Sequence, residues 1–193
     1  MDKVSSLGFS FDRVLIQLII PGLFAISPYL FLIFYKLPFQ KIIFDGSLAI
    51  IFSITLIISM AVGMLIENIG SIIEVKVYDK KNEKLLPDYY ITWNKYLVLN
   101  YNGKEPIGHR YIRSVLLRMK FELSFGIALI PCFFGVILLD YYFVLIGSIY
   151  LKFIFFVFCP CVLMIYLLKY EAYSSSLVLA KTRKLLVEEY SLN

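Results

Sequence analysis

The chain reads as an all-α integral membrane protein: four transmembrane helices, a basic cytoplasmic module between helices 2 and 3, and a cytoplasmic C-terminal helix. Three observations predict this. Hydrophobic residues make up 60% of the 193-residue sequence, against roughly 45–50% in soluble domains. The apolar residues come in long runs, each near the ~20 residues that a helix needs to cross a bilayer. One long polar stretch, 76–120, interrupts them. It carries Lys76, Lys80, Lys81, Lys84, Lys95, Lys104, Arg110, Arg113, Arg118 and Lys120 against only Asp79, Glu83, Asp88 and Glu105.

Lysines and arginines close to spans stay on the cytoplasmic side. The basic stretch therefore predicts a multi-pass membrane protein, with both termini and residues 76–120 in the cytoplasm. The expected divisions are 1–75, a first transmembrane hairpin with a cytoplasmic helix extension; 76–120, the basic module; 121–168, a second hairpin; and 169–193, a tail helix.

Span one is expected over 14–35, beginning after Arg13. Pro21-Gly22 and Ser27-Pro28 lie inside it. Each proline removes a backbone hydrogen bond and invites a kink, so a bent packing helix is expected, with a gating hinge as the alternative. Residues 36–46 form a short outer turn. Span two follows over 47–66, where Ser59 and Gly63 allow close helix approach.

Its helix should extend past the membrane through 67–74. Gly63 and Gly70, and likewise Glu67 and Glu74, are seven apart and return to nearly one face. The glycines predict oligomer packing through that face. Residues 78–88 read as a surface loop around Pro87, and the aromatic run 89–99 as a short strand or a helix. Asn100 to Gly103 has turn chemistry.

A helix from about residue 107 leads into span three, 121–139. Arg118 and Glu122 sit one turn apart at the inner edge. With Glu67 at similar depth, they predict a charge network there, with Arg113 as a further partner. Residues 140–151 suit either an outer hairpin or the start of a long tilted span. Span four ends near 168. In the tail, Ala172, Leu179 and Leu186 recur at seven, a stripe that fits pairing with another subunit or with the basic module.

No Gly-rich phosphate loop, HExxH or GxSxG occurs. His109 is the single histidine, and Cys132, Cys159 and Cys161 all fall in spans, so no metal-ligand spacing exists. No catalytic residue, cofactor or metal is expected. Aromatic residues and arginine are enriched in protein interfaces, and Trp93, Tyr96, Arg110 and Arg113 are the expected contacts for a cytosolic protein partner. The other expected partners are membrane lipids and further copies of the chain, with no direct nucleic-acid binding.

The stretches Gly63-Met-Leu-Ile-Glu-Asn-Ile-Gly70 and Glu105-Pro-Ile-Gly-His-Arg-Tyr111, with the four-span outline and the basic module, resemble the membrane subunit of the Kiwa anti-phage defence system. The resemblance implies an oligomeric four-span protein that works with a cytosolic DNA-binding subunit. The function expected is a non-enzymatic membrane scaffold or sensor holding a cytosolic partner. The alternative is a pore-forming or membrane-depolarising effector.

Overall fold

A computed structural model describes residues 14–36, 48–98, 107–143 and 157–191, and every regular element among them is helical. A π-helical turn, Leu15–Ile19, leads into α1, Ile20–Lys36. Helix α2, Leu48–Ile73, passes through a second π-helical turn, Glu74–Asp79, into α3, Lys80–Leu85. Helices α4, Tyr89–Val98, α5, Ile107–Phe143, and α6, Cys159–Ser191, complete the chain.

Four helices are long and apolar enough to cross a membrane. They begin at Leu15, Ala49, Gly108 and Cys159. The continuous helix Ala49–Leu85 has 37 residues, about 55 Å at 1.5 Å per residue, far more than the ~30 Å of a hydrocarbon core. Its apolar run stops at Glu67, and in α6 the run stops at Lys169. The residues from Glu74 onward, and those of α6 beyond Leu168, therefore project past the spans as one polar end of the molecule.

Helix α1 packs between α2 and α5, α5 runs along α6, and α4 lies against α6. Two apolar clusters mark the layers. Ala25, Ile66 and Ala128 meet within the spans, and Tyr78, Met119, Leu123 and Ala172 meet toward the polar end. Outward residues such as Phe31, Phe52, Ile57, Phe134 and Leu163 stay exposed, as lipid-facing surface does.

Proline and glycine set the close contacts. Pro28 has no N–H for the carbonyl of Phe24, and the Ser27 hydroxyl donates to that oxygen at 2.9 Å. The Tyr29 hydroxyl donates to the Pro131 carbonyl at 2.9 Å, tying α1 to α5. Ser59 donates to the Ile19 carbonyl at 2.8 Å. Beside it, a Cβ on Gly22 would collide with the Ser59 carbonyl, and one on Gly63 with the Leu18 carbonyl. Such backbone approach is what small residues permit between membrane helices.

Gly63 and Gly70 are both buried inside the single chain: Gly63 against Leu18, and Gly70 against Leu123 and Ile127 of α5. The loop expected over 78–88 is instead helical as far as Leu85, with a turn only at 86–88. The loop reading fails because Tyr78 and Asn82, polar in sequence, are fully buried against α6. The run 89–98 is a helix, not a strand. Helices run unbroken across 75–76, 120–121 and 168–169. Lys36, the first residue of the outer turn expected over 36–46, still belongs to α1; the rest of that turn, the Asn100–Gly103 turn, residues 144–151 and the N-terminal 1–13 lie outside the described residues.

Candidate functional site: a polar cavity past the spans

Polar side chains gather where α2, α3, α4, α5 and α6 meet beyond the apolar runs. Nearest the spans, Glu122 is only 7% exposed. It accepts from Arg118 Nε at 2.7 Å and from the Ser175 hydroxyl at 3.1 Å. Arg118 also reaches Glu171 at 3.3 Å. The i, i+4 spacing explains the first contact, while Ser175 and Glu171 come from α6. No ion pair includes Glu67 among the described residues. Its heptad mate Glu74 takes that part: Lys120 Nζ lies 2.5 Å from Glu74 Oε2 and donates to the Ser71 hydroxyl at 3.1 Å.

The π-helical turn arranges the next layer. In an α-helix, residues five apart point about 140° away from each other. The i→i+5 bonding of a π turn stacks them instead. Glu74 and Asp79, five apart, thereby line one cavity. The Tyr89 hydroxyl from α4 donates to Asp79 Oδ1 at 2.8 Å. Asn82, fully buried, donates through Nδ2 to the Ser176 hydroxyl at 2.8 Å and leaves its Oδ1 without a partner.

Arg183 closes the arrangement. It is 5% exposed, its guanidinium carbon sits 3.6 Å from the Trp93 ring centroid and 5.7 Å from that of Tyr96, and its Nε has no hydrogen-bond partner. An aromatic face is the usual resting place for a desolvated guanidinium. The cavity beside it measures about 250 Å3 and is walled by Glu74, Asp79, Tyr89, Tyr90, Trp93, Met119, Ser176, Leu179 and Arg183.

Electrostatics follow from this burial. Removal from water raises the Asp79 carboxyl above the ordinary value, with the Tyr89 hydrogen bond opposing it. Burial, reinforced by the Asp79 contact, pushes the Tyr89 hydroxyl well up. Burial pulls the Arg183 guanidinium down to about 10, so it stays charged at neutral pH. The cavity thus offers carboxylate acceptors, one cationic donor and aromatic faces, a combination that suits a small polar molecule bearing both donors and acceptors. Among the described residues no three His, Cys, Asp or Glu side chains gather as metal ligands would.

The expected interface residues divide. Trp93 and Tyr96 are half-buried and face Arg183. Tyr96 also packs on His109 at 5.0 Å, which sets the end of α4 against the start of α5. Arg110 and Arg113 are exposed on α5. Arg183, Asp79, Tyr89 and the Glu74–Lys120 pair were not singled out from the sequence. Arg183 had a signal: it falls four after Leu179 and three before Leu186, so it interrupts an apolar stripe on its own face. No protein-family model, curated protein or solved structure matches the chain.

Proposed function

We propose that the chain is a non-enzymatic, oligomeric inner-membrane scaffold or sensor whose polar end, on the cytoplasmic side, holds a cytosolic protein partner. The setting proposed is bacterial anti-phage defence, as the resemblance to the Kiwa membrane subunit implies. The observation that carries the reading is the outward face of α4. Ile91 and Leu97 stand exposed there, on a helix beyond the apolar spans, and Tyr90 beside them is exposed at the cavity rim. Large apolar side chains left outside the spans are candidates for contact with a partner, and the Tyr96–His109 contact puts them at the same end as Arg110, Tyr111 and Arg113. Because α2–α3, α5 and α6 run unbroken from polar end to spans, a partner docked there pulls on the spans directly. Gly63 and Gly70 are occupied by the chain's own helices, so copies of the chain meet through other lipid-facing surface.

Affinity purification in mild detergent, followed by conductance measurement on the purified protein, tests this against a pore. A stoichiometric soluble partner, lost on Ile91→Asp with Leu97→Asp, and silent bilayers are expected. Recovery without a partner together with robust conductance would defeat the scaffold reading.

A further inference from the structure

A second open space, also about 250 Å3, lies at the level where α6 leaves its apolar run, and is lined by Tyr78, Lys81, Tyr166, Lys169, Tyr170 and Tyr173. Two cations and four phenols make up the lining, and no carboxylate is among them. Lys81 Nζ sits 5.1 Å from the Tyr173 ring centroid, a cation–π contact that aims the ammonium without neutralising it. The Tyr78 hydroxyl donates to the Lys169 carbonyl at 3.1 Å, pinning the π-helical turn Glu74–Asp79 to α6 beside the groove. No ion pair among the described residues includes Lys81 or Lys169.

The chemistry of this lining fits a phosphate: ammonium groups for its charge and the phenol hydroxyls of Tyr166, Tyr170 and Tyr173 for its oxygens. The position argues for a phosphate attached to lipid. Lys169 directly follows the apolar segment that ends at Leu168, and tyrosines gather at headgroup depth in membrane proteins. Leu163, Tyr166 and Tyr170 are spaced three and four apart, so they share one face of α6, and all three are exposed. That face runs from the groove into the span, a track for acyl chains that a soluble anion does not need.

We propose that this groove is a binding site for an anionic phospholipid, its phosphate held between Lys81 and Lys169 and its acyl chains laid along the Leu163–Tyr166 face. The proposal rests on reading α6 as membrane-spanning up to Leu168 and is independent of any cytosolic partner. Bound lipid would tie α3 to the middle of α6 next to the polar cavity.

Thermal shift on the full chain in neutral detergent tests it, with dioleoylphosphatidylglycerol, dioleoylphosphatidylcholine and inorganic phosphate as separate probes. Phosphatidylglycerol should raise the unfolding midpoint, and the other two should not. Lys81→Gln with Lys169→Gln should raise the half-saturating phosphatidylglycerol concentration by ~30-fold. Lys81→Arg with Lys169→Arg should retain binding. Lys80→Gln with Lys84→Gln removes equal charge from exposed neighbours outside the groove and should leave binding unchanged. Equal stabilisation by phosphatidylcholine, equal loss in the Lys80/Lys84 variant, or full binding by the Lys81/Lys169 glutamine variant would overturn the site. A shift by inorganic phosphate matching that of phosphatidylglycerol would reassign it to a soluble phosphate and overturn the lipid assignment.

Discussion

The Arg183 guanidinium lies 3.6 Å over the ring of Trp93, and this stacking joins the tail helix to α4. Arg183 is nearly removed from water and makes no described ion pair, so the ring face is its principal compensation. Desolvated contacts of this kind contribute ~2 kcal/mol. Trp93→Ala also opens space beside the cavity, and should cost about 2–3 kcal/mol in total. Trp93→Phe should recover part of it, whereas Arg183→Lys should not rescue, since an ammonium cannot stack as a planar group does. Thermal midpoints in detergent check the order. An unchanged midpoint in Trp93→Ala would show the stacking to be incidental.

The two glycines on α2 should respond oppositely. A Cβ at Gly63 would overlap the Leu18 backbone, which cannot swing aside as a side chain can. Gly63→Ala should therefore separate α1 from α2 and destabilise by about 1–3 kcal/mol, the usual range for overpacking. At Gly70 the nearest atoms are side-chain carbons of Leu123 at 3.5 Å, ordinary contact distance, so Gly70→Ala should be close to neutral. Equal destabilisation of the two variants would refute this packing.

Much of this was legible in the sequence, and the remainder follows a pattern. Hydrophobic run length is a local signal, so four spans could be read without knowing what they touch. The Arg118–Glu122 contact was also local, being one helical turn. By contrast, Tyr78 and Asn82 read as loop residues because their partners, the Lys169 carbonyl and Ser176, lie about ninety positions away in sequence. The Glu74–Asp79 alignment depends on a π turn that apolar periodicity does not reveal. Gly63 was legible as a packing residue, but a helix pattern carries no mark of whether the neighbour belongs to the same chain.

The Lys120–Glu74 pair is the best place to measure an ion pair in this molecule. Both side chains are mostly buried, at 16% and 21% exposure, so neither charge can retreat fully into water. Removing one partner leaves the other in the cavity wall, and Lys120→Met alone should cost about 3 kcal/mol. Lys120→Met with Glu74→Gln should recover a large part, because no uncompensated charge then remains. A double-mutant cycle on thermal unfolding gives the coupling. Strict additivity of the two changes would mean that the residues do not interact.

Asp79 predicts a pH dependence of definite sign. Its carboxyl is raised in the folded protein, by burial first, with the Tyr89 hydrogen bond holding it back. The folded state then binds the proton more tightly than the unfolded chain does, whose carboxyl titrates near ~3.9. Between that value and the raised one, stability falls as pH rises. Wild type should therefore lose stability relative to Asp79→Asn across this window on going from acid toward neutral pH, and the difference should level off above the folded value. Tyr89→Phe removes the opposing hydrogen bond, so its window should extend to higher pH than that of wild type. The measurement is the unfolding midpoint of all three proteins at closely spaced pH values in one detergent. A wild-type curve parallel to that of Asp79→Asn throughout would place the Asp79 carboxyl in water, and would contradict the buried cavity wall on which the Tyr89 contact depends.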